Sequence, residues 1–460
     1  MLSGRGEKMA AVNLAHEPKW ETHPAAHQLV SHSLEGLCAR SDFLARLAER
    51  MSGATGTRLI DWLDRISTSA SESEVLAAGF VRDAGQPYAV YRHPDAQLPA
   101  LVGDYGKELV ALKVESVVAF LIAHGLDSRH QIVGNPGAAL RRSCVDCHPD
   151  WEVWVVERHG VQGWLVEDAS PELLQQLNYH RERFWLRRRR FDTVVEGFAH
   201  AQQLIESAIL EIGRERTCDL FFEAERAYWQ ARNDAGAVQR MRQDRLGLGW
   251  ANHDHHTYRS SRPAFMHLIG LLERLGFQCR ERFYAGREAG WGAQVLEQPA
   301  CGVVIFADVD LAPDEVLKDF AHEPLVARDT LGTVGLWCAL HGEAFLGAGM
   351  HHLECQFDFE NARQQLATQG VGTMKPFTDL PYLRQAFTEG QRWPVSEAAI
   401  AQALAAGWIT STQAQAFREQ GAIGSHLEIL ERQEGYKGFN QSGISDIISA
   451  TDPRKQLSSH

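Results

Sequence analysis

What most constrains the fold of this chain is a unit that its C-terminal half begins twice. Asn252-His253-Asp254-His255-His256-Thr257-Tyr258-Arg259 reads as a strand, and an amphipathic helix signal from Ala264 to Leu275 follows it and stops at Gly276. Gly349-Met350-His351-His352-Leu353-Glu354-Cys355-Gln356-Phe357 reads the same way, with a helix signal over Phe359 to Ala367 that ends at Gly370. Three strand-like runs complete the first unit: Cys279 to Tyr284, Gly292 to Glu297 and Gly302 to Ala307. The pattern is β-α-β-β-β. In the second copy a helical insertion, roughly Ser396 to Glu419, intervenes before the closing strand Ser425-His426-Leu427-Glu428-Ile429-Leu430-Glu431-Arg432.

Alternate side chains of a strand share a face. Three strands therefore offer His255 or His256, His351 or His352, and Glu428 or Glu431. Two imidazoles and one carboxylate are the donor set with which non-haem Fe(II) is held while other positions stay open. If His255 faces inward, so do Thr257 and Arg259, whereas a slip of one residue turns His256 and Tyr258 inward instead. Arg259 stands two same-face steps from His255, roughly 13 Å along a strand. From there its guanidinium can clamp a carboxylate, or pair with an acid on the next strand. Gln294, Gln356 and Asn440 are candidate polar contacts in the cup, Phe439 a cover or a core residue, and His426 a neighbour of Glu428. The acidic run at Asp308-Val309-Asp310 lacks the spacing and glycine of a calcium loop.

A chain of 460 residues exceeds the usual size of one core. The expected organisation is a helical segment over 1–75, an α+β scaffold or degenerate βαβββ domain with a helical extension over 76–245, and a metal-binding catalytic domain over 246–460. The last divides into modules at 246–330 and 347–460. Within the middle part, Tyr88 to Arg92, Leu109 to Val114 and Trp151 to Val156 read as strands, Val117 to Ala123 as a helix, and Pro171 to Gln243 as helical. The basic run Arg187 to Arg190 in that stretch reads as a solvated or carboxylate-paired face.

A net charge of −13 argues against nucleic acid as a partner. No apolar run is long enough for a bilayer, and Met1 to Lys8 lacks a signal-peptide core, so a cytoplasmic protein without a membrane partner is expected. Eight scattered cysteines do not form a disulfide framework and read as reduced thiols. Cys144-Val145-Asp146-Cys147-His148 has the form of a haem attachment site; without a second ligand pair it reads as packing or as half of a structural metal site.

The two β-α-β-β-β units resemble the vicinal-oxygen-chelate fold, and the order His, His, Glu resembles 4-hydroxyphenylpyruvate dioxygenase. Gly347-Ala348-Gly349-Met350-His351-His352-Leu353 is similar to that family's second metal strand, with the ligand at His352. Leu427-Glu428-Ile429-Leu430-Glu431-Arg432 is similar to its carboxylate strand, with the ligand at Glu428, and Gly435-Tyr436-Lys437-Gly438-Phe439-Asn440 to the segment leading into its closing helix. His255-His256-Thr257-Tyr258-Arg259 resembles the histidine–arginine pairing of the 2-oxoadipate dioxygenase/decarboxylase family. The resemblance, which covers the chain from 246 onward, implies a paired βαβββ cup holding Fe(2+) through His255, His352 and Glu428. It further implies Arg259, with Gln294 and Gln356, as contacts for a 2-oxo acid that is decarboxylated and hydroxylated with dioxygen. The alternatives are a metal-dependent isomerase, lyase or ring-cleaving dioxygenase on the same fold, and a non-catalytic small-molecule binder. Homo-oligomerisation is left open.

Overall fold

The structure, a computed structural model, describes residues 20–84, 86, 88–440 and 451–455. Met1 to Lys8 and the helix expected directly after Asn440 lie outside the described residues. Two helices come first, α1 (Pro24–Cys38) and α2 (Asp42–Thr55). Ser41 starts α2 by accepting the Leu44 N–H, and Gly56 ends it at φ 65°, where a Cβ would strike the backbone of Ala362.

Seven strands then form a first sheet: β1 (Leu63–Ser67), β2 (Val81–Arg82), β3 (Ala89–Arg92), β4 (Ala100–Gly103), β5 (Glu108–Lys113), β6 (Leu140–Cys147) and β7 (Trp151–Arg158). Helix α3 (Glu72–Ala77) follows β1, and α4 (Val117–Ala123) follows β5. The strand order is β2-β3-β4-β1-β5-β7-β6. β1 runs parallel to β4 and β5 parallel to β7, while β1 and β5 meet antiparallel. β1-α3-β2-β3-β4 is thus a β-α-β-β-β unit, and β5-α4-β6-β7 is the same unit lacking one strand.

Two expectations need correction here. The 1–75 segment is not purely helical, because Leu63–Ser67 is a central strand of this sheet. A 3-10 turn over Leu59–Trp62 precedes it, and a turn followed by a strand places Leu59, Leu63 and Ile66 in the core at spacings that mimic a helix. Nor are all cysteines free: Cys144 and Cys147 form a disulfide, their Cα atoms 6.1 Å apart, while His148 stacks on Trp151.

A helical layer follows: α5 (Pro171–Leu186), α6 (Val194–Ile212), α7 (Arg214–Gln230) and α8 (Asp234–Asp244). Thr193 and Glu196 cap α6 reciprocally. The basic run between α5 and α6 is carboxylate-paired, since Arg187 and Arg189 both bind the buried Glu225.

The second sheet holds β8 (His253–Arg259), β9 (Gln278–Tyr284), β10 (Trp291–Gln298), β11 (Val303–Asp310), β12 (His352–Gln356), β13 (Thr378–Leu380), β14 (Leu383–Phe387), β15 (Gln391–Trp393) and β16 (Ala422–Arg432). Its helices are α9 (Phe265–Arg274), α10 (Thr333–His341), α11 (Phe359–Thr368), α12 (Glu397–Ala405) and α13 (Ser411–Gln420). The order is β13-β14-β16-β12-β8-β11-β10-β9, with β15 on β16. β8 runs parallel to β11 and β12 parallel to β16; the two modules join where β8 and β12 pair antiparallel. This is an α+β fold built on paired βαβββ modules, the second carrying α12 and α13 as its insertion. One face of the sheet, with Ile305, Leu353 and Leu427, packs on Phe222, Ile205 and Leu268 of the helices. The concave face gathers Phe306, Trp337, Trp393 and Phe439 instead. Among the described residues no helix is long and apolar enough to cross a membrane.

Candidate metal centre

Strand register brings the site together. His255 stands opposite Glu354 and Glu354 opposite Glu428, so three side chains form a row across β8, β12 and β16. His352, two residues before Glu354, shares that face. One ligand atom from each of these four buried residues lies within 4.8 Å of the others. His255 Nε2 is 2.8 Å from Glu354 Oε2, and His352 Nε2 is 3.0 Å from Glu428 Oε2. Both Glu354 oxygens are buried without a hydrogen bond, so the short approach to His255 lacks hydrogen-bond geometry. Lone pairs converging on one point, rather than on each other, suit a shared cation. Two nitrogens and carboxylate oxygens match a divalent first-row metal, which would also relieve the cost of the unpartnered carboxylate.

A second layer of side chains fixes the ligand atoms. The β8–β12 register shifts between Glu354 and Cys355, leaving Asp254 as an extra residue beside His255. Such a bulge turns neighbouring side chains toward the same side. Asp254 Oδ1 accepts from His255 Nδ1 at 3.2 Å, which leaves Nε2 as the ligand atom. Asp254 is in turn gripped by Arg432 Nε and Nη2 at 2.9 and 3.0 Å, by Gln356 Nε2 at 2.9 Å and by Gln97 Nε2 at 2.8 Å. Nδ1 of His352 meets Nδ1 of His351 at 2.9 Å, so its Nε2 likewise faces the cluster. Gln385 donates to Glu428 Oε1 at 3.0 Å. Carboxylates and amides behind the ligands hold ring orientation and raise ligand basicity.

The electrostatics fit the same picture. Burial, aided by Glu428, pushes the Glu354 carboxyl up to about 8. Burial would lower the His255 imidazole, but Glu354, Asp254 and Glu428 outweigh it and hold it at about 10. Burial likewise opposes ionisation of Asp254, and Arg432 with His255 overcomes it and keeps that carboxyl well below its usual range. Burial raises the Glu428 carboxyl as well, so both acids resist ionising in the metal-free protein and a cation between them would favour their charged forms.

Of the residues singled out in the sequence, His255, His352 and Glu428 converge. Arg259 lies on the same strand face, 3% exposed, its Nε a loose 3.8 Å from Asp308 Oδ2. Arg259 Nε and Nη1 and Asp308 Oδ1 have no hydrogen-bond partner, and burial pushes the Asp308 carboxyl up to about 7 against the pull of Arg259. Gln294 is a correction. It pairs with Ala307, whose side chain belongs to the helix-side core, and donates its amide to the Glu281 and Val295 carbonyls. Parity puts it on the face away from the cup. Gln356 faces the cup side, but its amide serves Asp254. Asn440 donates to the Phe377 carbonyl, and Phe439 packs 5.1 Å from the His255 ring. His256 points the other way, toward Phe222, with ring centroids 5.6 Å apart. Glu431 accepts the Phe359 N–H. His426 donates Nδ1–H to the Thr388 carbonyl at 2.9 Å, leaving Nε2 unpartnered.

Sequence reasoning missed Glu354, although its place two residues after His352 was signal enough for a shared face. It also missed Asp254, which a regular strand would turn away, and Gln97, whose approach no local pattern encodes.

The modules show an internal symmetry. A local two-fold through the His256–Leu353 pair relates His255 to His352 and Thr257 to Glu354. Phe306 pairs with Thr257 as Glu428 pairs with Glu354, so the same axis relates Phe306 to Glu428. The symmetric counterpart of the carboxylate ligand is a phenyl ring, 4.7 Å from the His255 ring. At that position no donor faces the cluster.

No protein-family model and no curated protein sequence matches the chain. Among solved structures it is similar to a protein assigned to the glyoxalase superfamily from Ralstonia eutropha, at 13% identity and a TM-score of 0.34, over 60% of this chain and 100% of that one. A mutant of 4-hydroxymandelate synthase from Streptomyces coelicolor is 11% identical at a TM-score of 0.29, over 85% and 98%. Methylmalonyl-CoA epimerase from Mycobacterium tuberculosis is 13% identical at a TM-score of 0.23, over 40% and 89%. The fold assignment stands on the strand order and registers described above.

Proposed function

We propose that this chain is a non-haem Fe(II)-dependent dioxygenase that decarboxylates and hydroxylates a 2-oxo acid. The observation that carries the reading is the buried His255, His352 and Glu428 cluster, with a phenyl ring where symmetry would place a fourth ligand. His255, His352 and Glu428 would hold the metal. When bound, Fe(II) would supply a Lewis-acidic seat for the carboxylate and keto oxygens of a 2-oxo acid, and a redox centre through which the acid's own electrons would reach dioxygen.

The protein supplies the rest. Asp254 holds the proton on His255 Nδ1 and keeps Nε2 free for the metal. Arg259 offers unused guanidinium donors on the same strand face, placed to bind a substrate's far carboxylate in bidentate fashion. Phe306 and Phe439 against His255, and Phe387 against His352 at 5.2 Å, exclude water and strengthen each polar contact inside.

The test is anaerobic Fe(II) loading, followed by dioxygen uptake and carbon dioxide release with 2-oxoadipate, 4-hydroxyphenylpyruvate and related acids. Coupled uptake and release on one acid is the expected result. A second reading rests on Glu354. As a fourth protein ligand it would leave less of the metal open to substrate and dioxygen together, which favours an isomerase or lyase. Loaded protein that turns over substrate without consuming dioxygen, and that loses its metal on Glu354→Gln, would support that alternative.

A further inference from the structure

Between the first sheet, the helical layer and the edge of the second sheet lies a cavity of about 1060 Å³, lined among others by Lys113, Arg226, His253, Asp254 and Gln356. It is distinct from the aromatic cup, since none of His255, His352, Glu354 or Glu428 lines it. Its charges are unequally committed. Asp61, Asp64 and Asp254, the carboxylates acting on Lys113, are already bound by Arg58, Arg158 and Arg432 respectively. Asp219, the carboxylate that feels Arg226, binds His159 at 2.7 Å.

Two cations are left over. Arg226 on α7 is 9% exposed; its Nε is buried without a hydrogen-bond partner, and among the described residues no ion pair holds it. Lys113, at the end of β5, likewise shows no hydrogen bond or ion pair among the described residues, and burial lowers its ammonium's basicity. Both act electrostatically on His253, whose Nδ1 is also buried and unpartnered. A buried guanidinium and a half-buried ammonium without counter-ions are costly unless an anion answers them.

We infer that this cavity is a second ligand site, taking a small anion, a carboxylate or phosphate group, between Arg226 and Lys113 with His253 as a further hydrogen-bonding partner. Its volume suits a metabolite rather than a bare ion. Asp254 and Gln356 line the cavity and also stand behind His255, so an occupant would adjoin the residues that orient a candidate metal ligand.

The test is calorimetric titration of the full-length chain with inorganic phosphate and, separately, malonate, whose responses tell the two anion chemistries apart. Saturable binding of either probe is expected, weakened roughly tenfold or more by Arg226→Gln and by Lys113→Met, and unchanged by His352→Ala in the cup. Circular dichroism checks that each variant is folded, and either variant suffices if the other is not. Failure of both probes to bind, binding indifferent to the folded variants, or binding abolished by His352→Ala would overturn the inference.

Discussion

Asp254 and Arg432 form a two-pronged buried pair, Oδ2 with Nε at 2.9 Å and Oδ1 with Nη2 at 3.0 Å, directly behind His255. Arg432 is anchored by the loop that follows its strand, donating Nη1 to the Tyr436 carbonyl at 3.2 Å and to the Gly438 carbonyl at 2.6 Å. Removing one member leaves the other charged and buried. Arg432→Gln is expected to cost about 3–5 kcal/mol of stability, read by denaturant unfolding. It is also expected to weaken metal binding by about 10–100-fold, as loss of support behind a ligand does. Unchanged metal affinity in a folded Arg432→Gln protein would show that Asp254 does not tune His255.

The adjacent histidines His351 and His352 make a sharp contrast. His352→Ala is expected to abolish stoichiometric divalent metal, measured by elemental analysis after dialysis. His351→Phe keeps Nε2 of His352 but removes the nitrogen that meets its Nδ1, and is expected to weaken binding by about 10–100-fold. Equal loss in both would mean that His351 is itself a ligand.

Arg259 and Asp308 both hold spare hydrogen-bonding capacity on the cup face. If Arg259 receives a substrate carboxylate, Arg259→Ala raises KM for a dicarboxylic 2-oxo acid by about 10-fold or more and leaves a monocarboxylic one little changed. Steady-state kinetics on the matched pair of acids decides it. A KM that moves equally for both would remove the clamp role.

Stability should depend on pH in a defined window. His255 is held up at about 10, His159 at about 9 and Glu354 at about 8, so each binds its proton more tightly folded than unfolded. For such groups the stabilisation is complete below the unfolded value and is lost as pH rises through the folded one. Metal-free protein is therefore expected to lose melting temperature between pH 6.5 and 9. Metal binding must displace the proton on His255, so affinity should rise over the same window. A melting temperature that climbs toward pH 9 in metal-free protein would contradict the protonation assigned to this cluster.

Legibility from sequence followed the strength of local pattern. Alternation and the repeated module narrowed the ligands to His255 or His256, His351 or His352, and Glu428 or Glu431, and the family resemblance singled out His255, His352 and Glu428. Glu354 was equally periodic, yet a three-ligand expectation left no place for it. Gln294 was misplaced because β10 is buried on both faces, so that Ala293 and Val295 on one side and Leu296 on the other give alternation no polar face to mark. Leu63–Ser67 was hidden by the turn before it. The contacts between the halves were out of reach, since Gln97 touches Asp254 across 157 positions of chain.

That last contact gives the first sheet a share in the chemistry of the second. Gln97 sits in the connection between β3 and β4, and it hydrogen-bonds the carboxylate that sets the basicity of His255. Excising the N-terminal half would strip a donor from behind the metal ligand as well as removing a neighbour. The module that carries the candidate metal site is thus not portable, and grafting it elsewhere would require a substitute for one amide borrowed from the first sheet's side of the molecule.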